Sequence, residues 1–372
     1  MYQITKNLSD RMNVLKFLAI VMVVFIHISP AITAYDGAPA VSISEQSLQI
    51  FIYVISQSIS RAAVPLFFLI SSILLYSKDF LWLENMKKKC RSVLIPYVFW
   101  NTFWILFSFI TQTIPEIAKY FPRDSYYVRG YGIVEWLKAY TYLNGNYPYL
   151  YTLWFLRDLF IMNILAVVIK RAVDKAPRIL LFLVMIIWLG TVPIPYLDNQ
   201  TLVFFILGYY AVKYQIHEKQ IDRINWLAAA SAYAAFLVFD YGLSYQYPFI
   251  HQITVILGVI VFIKLSKELI HGRTGNIILW LSKYSFIIYV FHEMNLSIVR
   301  TICAILFPQT ILIQLAEYLL IPPIIILECV VFGIIFRKIS PRLYELAIGN
   351  RSNEARGKPA AERDKAVEKI IK

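Results

Sequence analysis

Several signatures of soluble chemistry are missing from this sequence. Its three cysteines, Cys90, Cys303 and Cys329, lie far apart and form no Cys-x-x-Cys pair, which argues against a disulfide framework or a zinc ribbon. No His-x-x-x-His or His-Glu-x-x-His spacing occurs, so no zinc site is expected, although two histidines and two carboxylates are available as ligands. There is no Gly-x-Ser-x-Gly elbow to activate Ser71 or Ser72 as a nucleophile. Neither a Walker A loop nor a dinucleotide-binding glycine pattern is present, so ATP and nicotinamide chemistry are not indicated and no bound cofactor is expected. No internal repeat is visible. Within long stretches of the chain, charge is also nearly absent.

Hydrocarbon takes its place. Of 372 residues, 59% are hydrophobic and the mean hydropathy is +0.60, values that a soluble protein of this size does not reach. Apolar runs of spanning length recur, and they are continuous rather than alternating. This selects a polytopic helical bundle over a membrane β-barrel. The first run has the basic front of a signal peptide but no small-residue cleavage motif, and it reads as a retained first span. A net charge of +13 does not imply nucleic acid here, because the excess sits in short loops between spans and in the tail.

The expected fold is all-α, with about ten spans at 14–34, 48–75, 93–113, 152–170, 178–195, 199–214, 226–241, 249–266, 277–298 and 312–336. One set of connections carries the basic residues, including "KKKCR" at 87–91 and "KRAVDKAPR" at 170–178. The opposite set is nearly free of Lys and Arg in its short members. The positive-inside rule then places both termini in the cytoplasm. Residues 1–340 form one transmembrane domain with a long, aromatic outer loop at 114–151, in which Ile133 to Tyr142 reads as a short helix. Residues 341–372 form a charged cytoplasmic tail, loose over 350–372.

Ionisable groups within spans are costly, about 2.5–3.5 kcal/mol each at a helix centre, and so they mark function or pairing. Lys16 and His27 lie on one face of the first span, about three turns or roughly 16 Å apart. Arg61 falls near the middle of span 2 and needs a carboxylate or a ligand anion. Arg157 and Asp158 are expected in the outer third of span 4. His292 and Glu293 are expected in the outer half of span 9, at the depth of His27. Glu328 in span 10 lies deeper and has no assigned partner. Together these groups suggest a buried polar chamber.

At these residues the chain resembles acyltransferase family 3, the multispanning bacterial membrane O-acyltransferases. "RMNVLKFLAIVMVVFIH" resembles the first-span signature, with Lys16 where the family usually has arginine and His27 where it has histidine. "VPLFFLISSILLY" resembles the second-span motif, with Ser72 where glycine is common, and "KKCRSVLIPYVFWN" resembles the basic stretch before span 3, reading Lys88 to Arg91. "LWFLRDLF" at 153–160 and "YSFIIYVFH" at 284–292 are similar to later family segments. The likeness covers about residues 8–340. Lysine for arginine at both basic motifs removes bidentate phosphate recognition but keeps the charge.

The resemblance implies transfer of an acyl group, acetyl being expected, from cytoplasmic acyl-CoA as co-substrate to a hydroxyl of a polysaccharide or lipid-linked sugar. The enzyme would be a multi-pass protein of a bacterial cytoplasmic membrane, with a homo-oligomer compatible with this. Lys16, Lys88, Arg91 and Arg61 would bind acyl-CoA, and the distance from Lys16 to His27 would match the reach from CoA phosphates to thioester. His27 would be the general base. Asp158 or Glu293 would fix its tautomer, and Arg157, Arg61 or protonated His292 would stabilise the oxyanion. Trp154, Arg157 and Glu293 would face the acceptor. Direct transfer and a covalent acyl-histidine relay both remain open. Because the chain ends soon after its last span, any second extracytoplasmic step is expected to need a separate partner. The competing reading is a transporter or flippase of a glycan or lipid intermediate, for which intramembrane His, Asp and Arg serve equally well as a proton relay. The lack of an inverted repeat weakens it.

Overall fold

The computed structural model describes residues 2–28, 42–78, 81–114, 116, 128–141 and 147–351. Within them every regular element is helical, and only an isolated bridge between Ile194 and Leu197 departs from this. The principal helices are α1 (Lys6–His27), α2 (Ile43–Tyr76), α3 (Trp82–Gln112), α4 (Ile133–Tyr140), α5 (Tyr151–Lys175), α6 (Pro177–Leu189), α7 (Asn199–Lys213), α8 (Trp226–Leu243), α9 (Pro248–Leu269), α10 (Gly272–Leu306), α11 (Ile311–Ile339) and α12 (Pro341–Ala347). Seven of these, α2, α3, α5 and α8 to α11, are long and apolar enough to cross a membrane. The chain is therefore a multi-pass membrane protein. Each of the ten expected apolar segments contains a helix among its described residues, although α1 is described as helix only to His27, short of the expected end at 34, α6 ends at Leu189, and α6 and α7 have only 13 and 15 residues.

Local chemistry sets the helix ends. Thr5 caps α1 by accepting from the Leu8 N–H at 3.2 Å. Ser42 and Glu45 form a reciprocal capping box at the start of α2. Two long helices carry a π-turn: Val54–Ile59 in α2, just before Arg61, and Cys90–Leu94 in α3, around Arg91. Such turns free backbone carbonyls and re-aim the side chains that follow. A 3₁₀ turn at Ser282–Tyr284 divides α10, and Pro322 with Pro323 interrupts the hydrogen-bond ladder of α11.

The tightest helix pair is α2 with α7. A Cβ added at Gly208 would lie 2.5 Å from the Ser72 Cβ, and the Ser72 hydroxyl donates to the Phe205 carbonyl at 2.6 Å. The small residues of "FFLISS" thus serve close helix packing, not nucleophilic chemistry. Arg11 is buried in a bidentate pair with Asp222, at 2.7 and 2.9 Å, which ties α1 to the connection after α7.

The segment after the last span begins with α12, which folds back on α3, where the Trp100 indole donates to the Ala347 carbonyl at 2.9 Å. The loop helix within 114–151 ends at Tyr140 rather than Tyr142, which lies outside the described residues, as does much of that loop. Its last turn docks on the first half of α3. The Tyr97 hydroxyl donates to the Tyr140 carbonyl at 2.8 Å, and the Asn101 amide donates to the Ala139 carbonyl at 2.7 Å.

Candidate active site

The site forms where α1 ends, α5 begins and the middle of α10 passes both. Buried Asn101 of α3 holds the approach to α5, because its side-chain oxygen accepts from the Leu150 N–H at 3.0 Å. Tyr151 follows directly, and its hydroxyl lies 2.6 Å from His27 Nδ1. The two rings meet edge-on with centroids 5.4 Å apart. Tyr151 also interacts with the Glu293 carboxyl, which in turn lies within electrostatic reach of Arg300. His27, Tyr151 and Glu293 therefore form one polar chain across three helices.

His292 completes the cluster. Its ring centroid is 5.4 Å from that of His27, at a tilt of 40°, and its side chain is fully buried. Nδ1 lies 2.8 Å from the Ile288 carbonyl and 3.0 Å from the Tyr289 carbonyl. Carbonyl oxygens only accept, so Nδ1 carries the proton and Nε2 holds a lone pair. That Nε2 is buried and makes no hydrogen bond among the described residues, a position that buried polar atoms rarely occupy without a functional reason. Tyr289, one turn earlier, donates to the Thr152 carbonyl at 2.7 Å and so locks α10 against the start of α5. The expected convergence of His27, His292 and Glu293 is thus present.

Arg61 also belongs to this end. It donates to the Gln57 side-chain oxygen, and its charge bears on His27. It thus sits within electrostatic reach of His27, just after the π-turn at Val54–Ile59, which re-aims the residues after it.

Arg157 and Asp158 pair with each other and with the start of α7. Arg157 lies beside Val93, Leu94 and Tyr97, in a cavity of about 360 Å³ just past the basic run of α3. Asp158 is fully buried and committed: it accepts from Arg157 at 2.8 and 2.6 Å, from the Asp198 N–H at 3.2 Å and from the Thr201 hydroxyl at 3.2 Å. It therefore anchors the first turn of α7. Among the described residues it makes no hydrogen bond to His27, and Tyr151 takes the orienting place expected for it.

The remaining candidates are placed as follows. Lys16 is half-buried in α1, and the continuous helix to His27 preserves their separation of roughly 16 Å. Lys88 and Arg91 are exposed on α3. Trp154 is half-buried beside Phe155, whose ring also packs on Phe68 and Tyr289. Glu328 accepts from the Asn295 amide at 3.0 Å, which pairs α11 with α10 and gives it a structural partner. Asn101 and Tyr289 lie inside the family-like segments at 88–101 and 284–292, which do not single them out, and Tyr151 lies just before the segment at 153–160. The aromatic richness of the loop pointed toward Tyr151 only as one tyrosine among many.

A histidine pair set among the helices of a multi-pass membrane protein suits the membrane acyltransferases. The chain belongs to acyltransferase family 3, matching its acyltransferase domain over residues 9–336. The succinoglycan biosynthesis protein ExoH of Rhizobium meliloti (strain 1021) is 26% identical over 292 residues, which span 73% of this chain and 74% of that protein. No solved structure matches the chain.

Proposed function

We propose that the protein moves an acyl group, acetyl in the simplest case, from cytoplasmic acyl-CoA to a hydroxyl of a cell-surface or lipid-linked carbohydrate across a bacterial cytoplasmic membrane. The observation that carries this reading is the histidine pair, with the buried Nε2 lone pair of His292 beside a His27 held by Tyr151. Lys16, Lys88 and Arg91 supply positive charge for the CoA phosphates, acting as point charges where lysine stands. A relative named for succinoglycan biosynthesis supports a glycan acceptor.

The acceptor hydroxyl gives its proton to His292 Nε2, and its oxygen attacks the thioester carbonyl. Arg61 faces the developing oxyanion. Collapse forms the C–O ester bond, breaks the C–S bond, and the imidazolium returns the proton to the CoA thiolate. His27, fixed through Nδ1 by Tyr151, lies against the His292 ring and shares the proton during this exchange. This assigns the base to His292, where the tautomer is set by two carbonyls, and gives His27 the supporting role. Comparing the ester content of surface and lipid-linked glycans from cells with and without the gene tests the reading. Loss of one acyl ester is expected, and identical acylation in both would contradict it.

A further inference from the structure

A larger cavity lies apart from the histidines. Its volume is about 630 Å³, and it is walled by α1, α2, α6, α7 and α9, with Met12, Leu15, Leu181, Met185, Ile256 and Ile260 among its apolar lining. That volume falls within the range of about 300–1,000 Å³ usual for ligand sites. On α1 the lining reaches no further than Leu15, twelve residues or about 18 Å of helix short of His27. Acyl transfer at the histidines therefore leaves this space unexplained. The Trp188 indole ties α6 to α9 by donating to the Gln252 carbonyl at 3.2 Å, and the cavity runs along both helices beyond that tie. Three charged residues border it: Arg11, Arg178 and Glu218. Arg11 is committed, because besides its pair with Asp222 it donates to the Ser266 hydroxyl at 3.0 Å and to the Ile263 carbonyl at 2.7 Å. Glu218, after α7, is nine-tenths buried, and its Oε2 has no hydrogen-bond partner among the described residues. The Tyr2 hydroxyl, which feels the Glu218 charge, donates instead to the Ile216 carbonyl at 3.1 Å. Arg178 is exposed in the first turn of α6 and forms no ion pair among the described residues.

We infer that this cavity binds phosphatidylethanolamine, with one acyl chain in the apolar slot, the ammonium donating to Glu218 and the phosphate meeting Arg178. A buried carboxylate without a partner is costly, and a cationic donor removes that cost by supplying both the counter-charge and the hydrogen bond. Phosphatidylglycerol would leave the buried carboxylate without a counter-charge. A choline headgroup carries the charge but has no N–H to donate. The apolar walls select a hydrocarbon chain, and the two unpaired charges of opposite sign select a zwitterionic head with a primary amine.

The inference stands independently of the acyl-CoA reading. Native mass spectrometry of the full-length protein in non-ionic detergent measures bound lipid, with phosphatidylethanolamine, phosphatidylcholine and phosphatidylglycerol of identical acyl chains added in turn. Wild type, Glu218→Gln, Arg178→Gln and Ala211→Phe are compared, with melting temperatures alongside. Ala211 lines the cavity on α7, so phenylalanine there takes the space of the chain without changing charge. Wild type should bind phosphatidylethanolamine about ten-fold more tightly than the other two lipids, the low end for a charge-assisted contact. Glu218→Gln should lose that preference. Arg178→Gln should weaken phosphatidylethanolamine and phosphatidylcholine alike, because both carry the phosphate. Ala211→Phe should weaken all three. Equal affinity of wild type for the three lipids, a preference for phosphatidylglycerol, or a preference for phosphatidylethanolamine that survives Glu218→Gln would each overturn the inference. Undiminished binding by folded Ala211→Phe would place the lipid on the outer surface and also overturn it. If Ala211→Phe does not fold, the headgroup preference of Glu218→Gln decides alone.

Discussion

Replacing Tyr151 with phenylalanine isolates one hydrogen bond at the centre of the site. Phenylalanine keeps the edge-on ring contact with His27, at 5.4 Å between centroids, and removes the hydroxyl 2.6 Å from Nδ1. In the ground state that bond joins two neutral groups and is worth about 0.5–1.5 kcal/mol. As the histidine pair gains positive charge during proton transfer, the same bond becomes charge-assisted and is worth about 1.5–3 kcal/mol. Only the difference, about 1–1.5 kcal/mol, appears in the chemical step, so kcat should fall about ten-fold. The KM for acyl-CoA should hold, because the phosphate contacts are remote from Tyr151. Steady-state release of CoA thiol by the purified variant is the assay. Unchanged kcat would refute the role of Tyr151, and a raised KM with normal kcat would move it to substrate binding.

Other substitutions separate chemistry from scaffold. His292→Asn and His27→Ala should each lower turnover by about 10²–10⁴, the usual cost of losing an acid–base group, with unchanged melting temperature; partial activity in His292→Asn would return the base to His27. Lys16→Gln should raise the KM for acetyl-CoA with kcat near normal, and added salt should mimic it because an accessible phosphate contact is screened over about 8–10 Å; Lys16→Arg should hold or improve affinity. Asp158→Asn should act on stability, because it breaks a buried pair with Arg157 and weakens the hold on Asp198 and Thr201 at the start of α7, at a cost of about 3–5 kcal/mol read as a lowered melting temperature. Gly208→Ala should also destabilise, by about 1–3 kcal/mol, since its Cβ would overlap Ser72.

The helices and one half of the site could be read directly from the sequence. Continuous apolar runs leave the backbone no alternative in lipid, and each expected span contains a helix among its described residues, seven of them long and apolar enough to cross a membrane. Lys16 and His27 share one helix, so their separation follows from rise per residue alone. Glu293 and His292 were legible as buried ionisable groups, because a membrane makes such groups expensive. What the sequence hides is how separate helices meet. Arg157 and Asp158 satisfy each other locally, and nothing in their spacing shows that the carboxylate then turns to Asp198 and Thr201. Tyr151 looks like any interfacial aromatic until Asn101 fixes the preceding backbone against α3. The π-turns before Arg61 and around Arg91 each insert one residue into an otherwise regular helix, and hydrophobic periodicity is insensitive to that. The C-terminal segment reads as charged and loose, yet Gly349 lets it pass within van der Waals contact of α3.

The central claim is that the His27–His292 pair catalyses acyl transfer from acyl-CoA. It is tested most directly by mixing purified wild type or His292→Asn in detergent or nanodiscs with acetyl-CoA and an oligosaccharide acceptor, and following free CoA thiol and acetyl ester together. Wild type should release thiol and form ester in equal amounts, and His292→Asn should do neither above about 1% of that rate. Wild type that leaves acetyl-CoA intact, or a His292→Asn variant that turns over near the wild-type rate, would contradict the account.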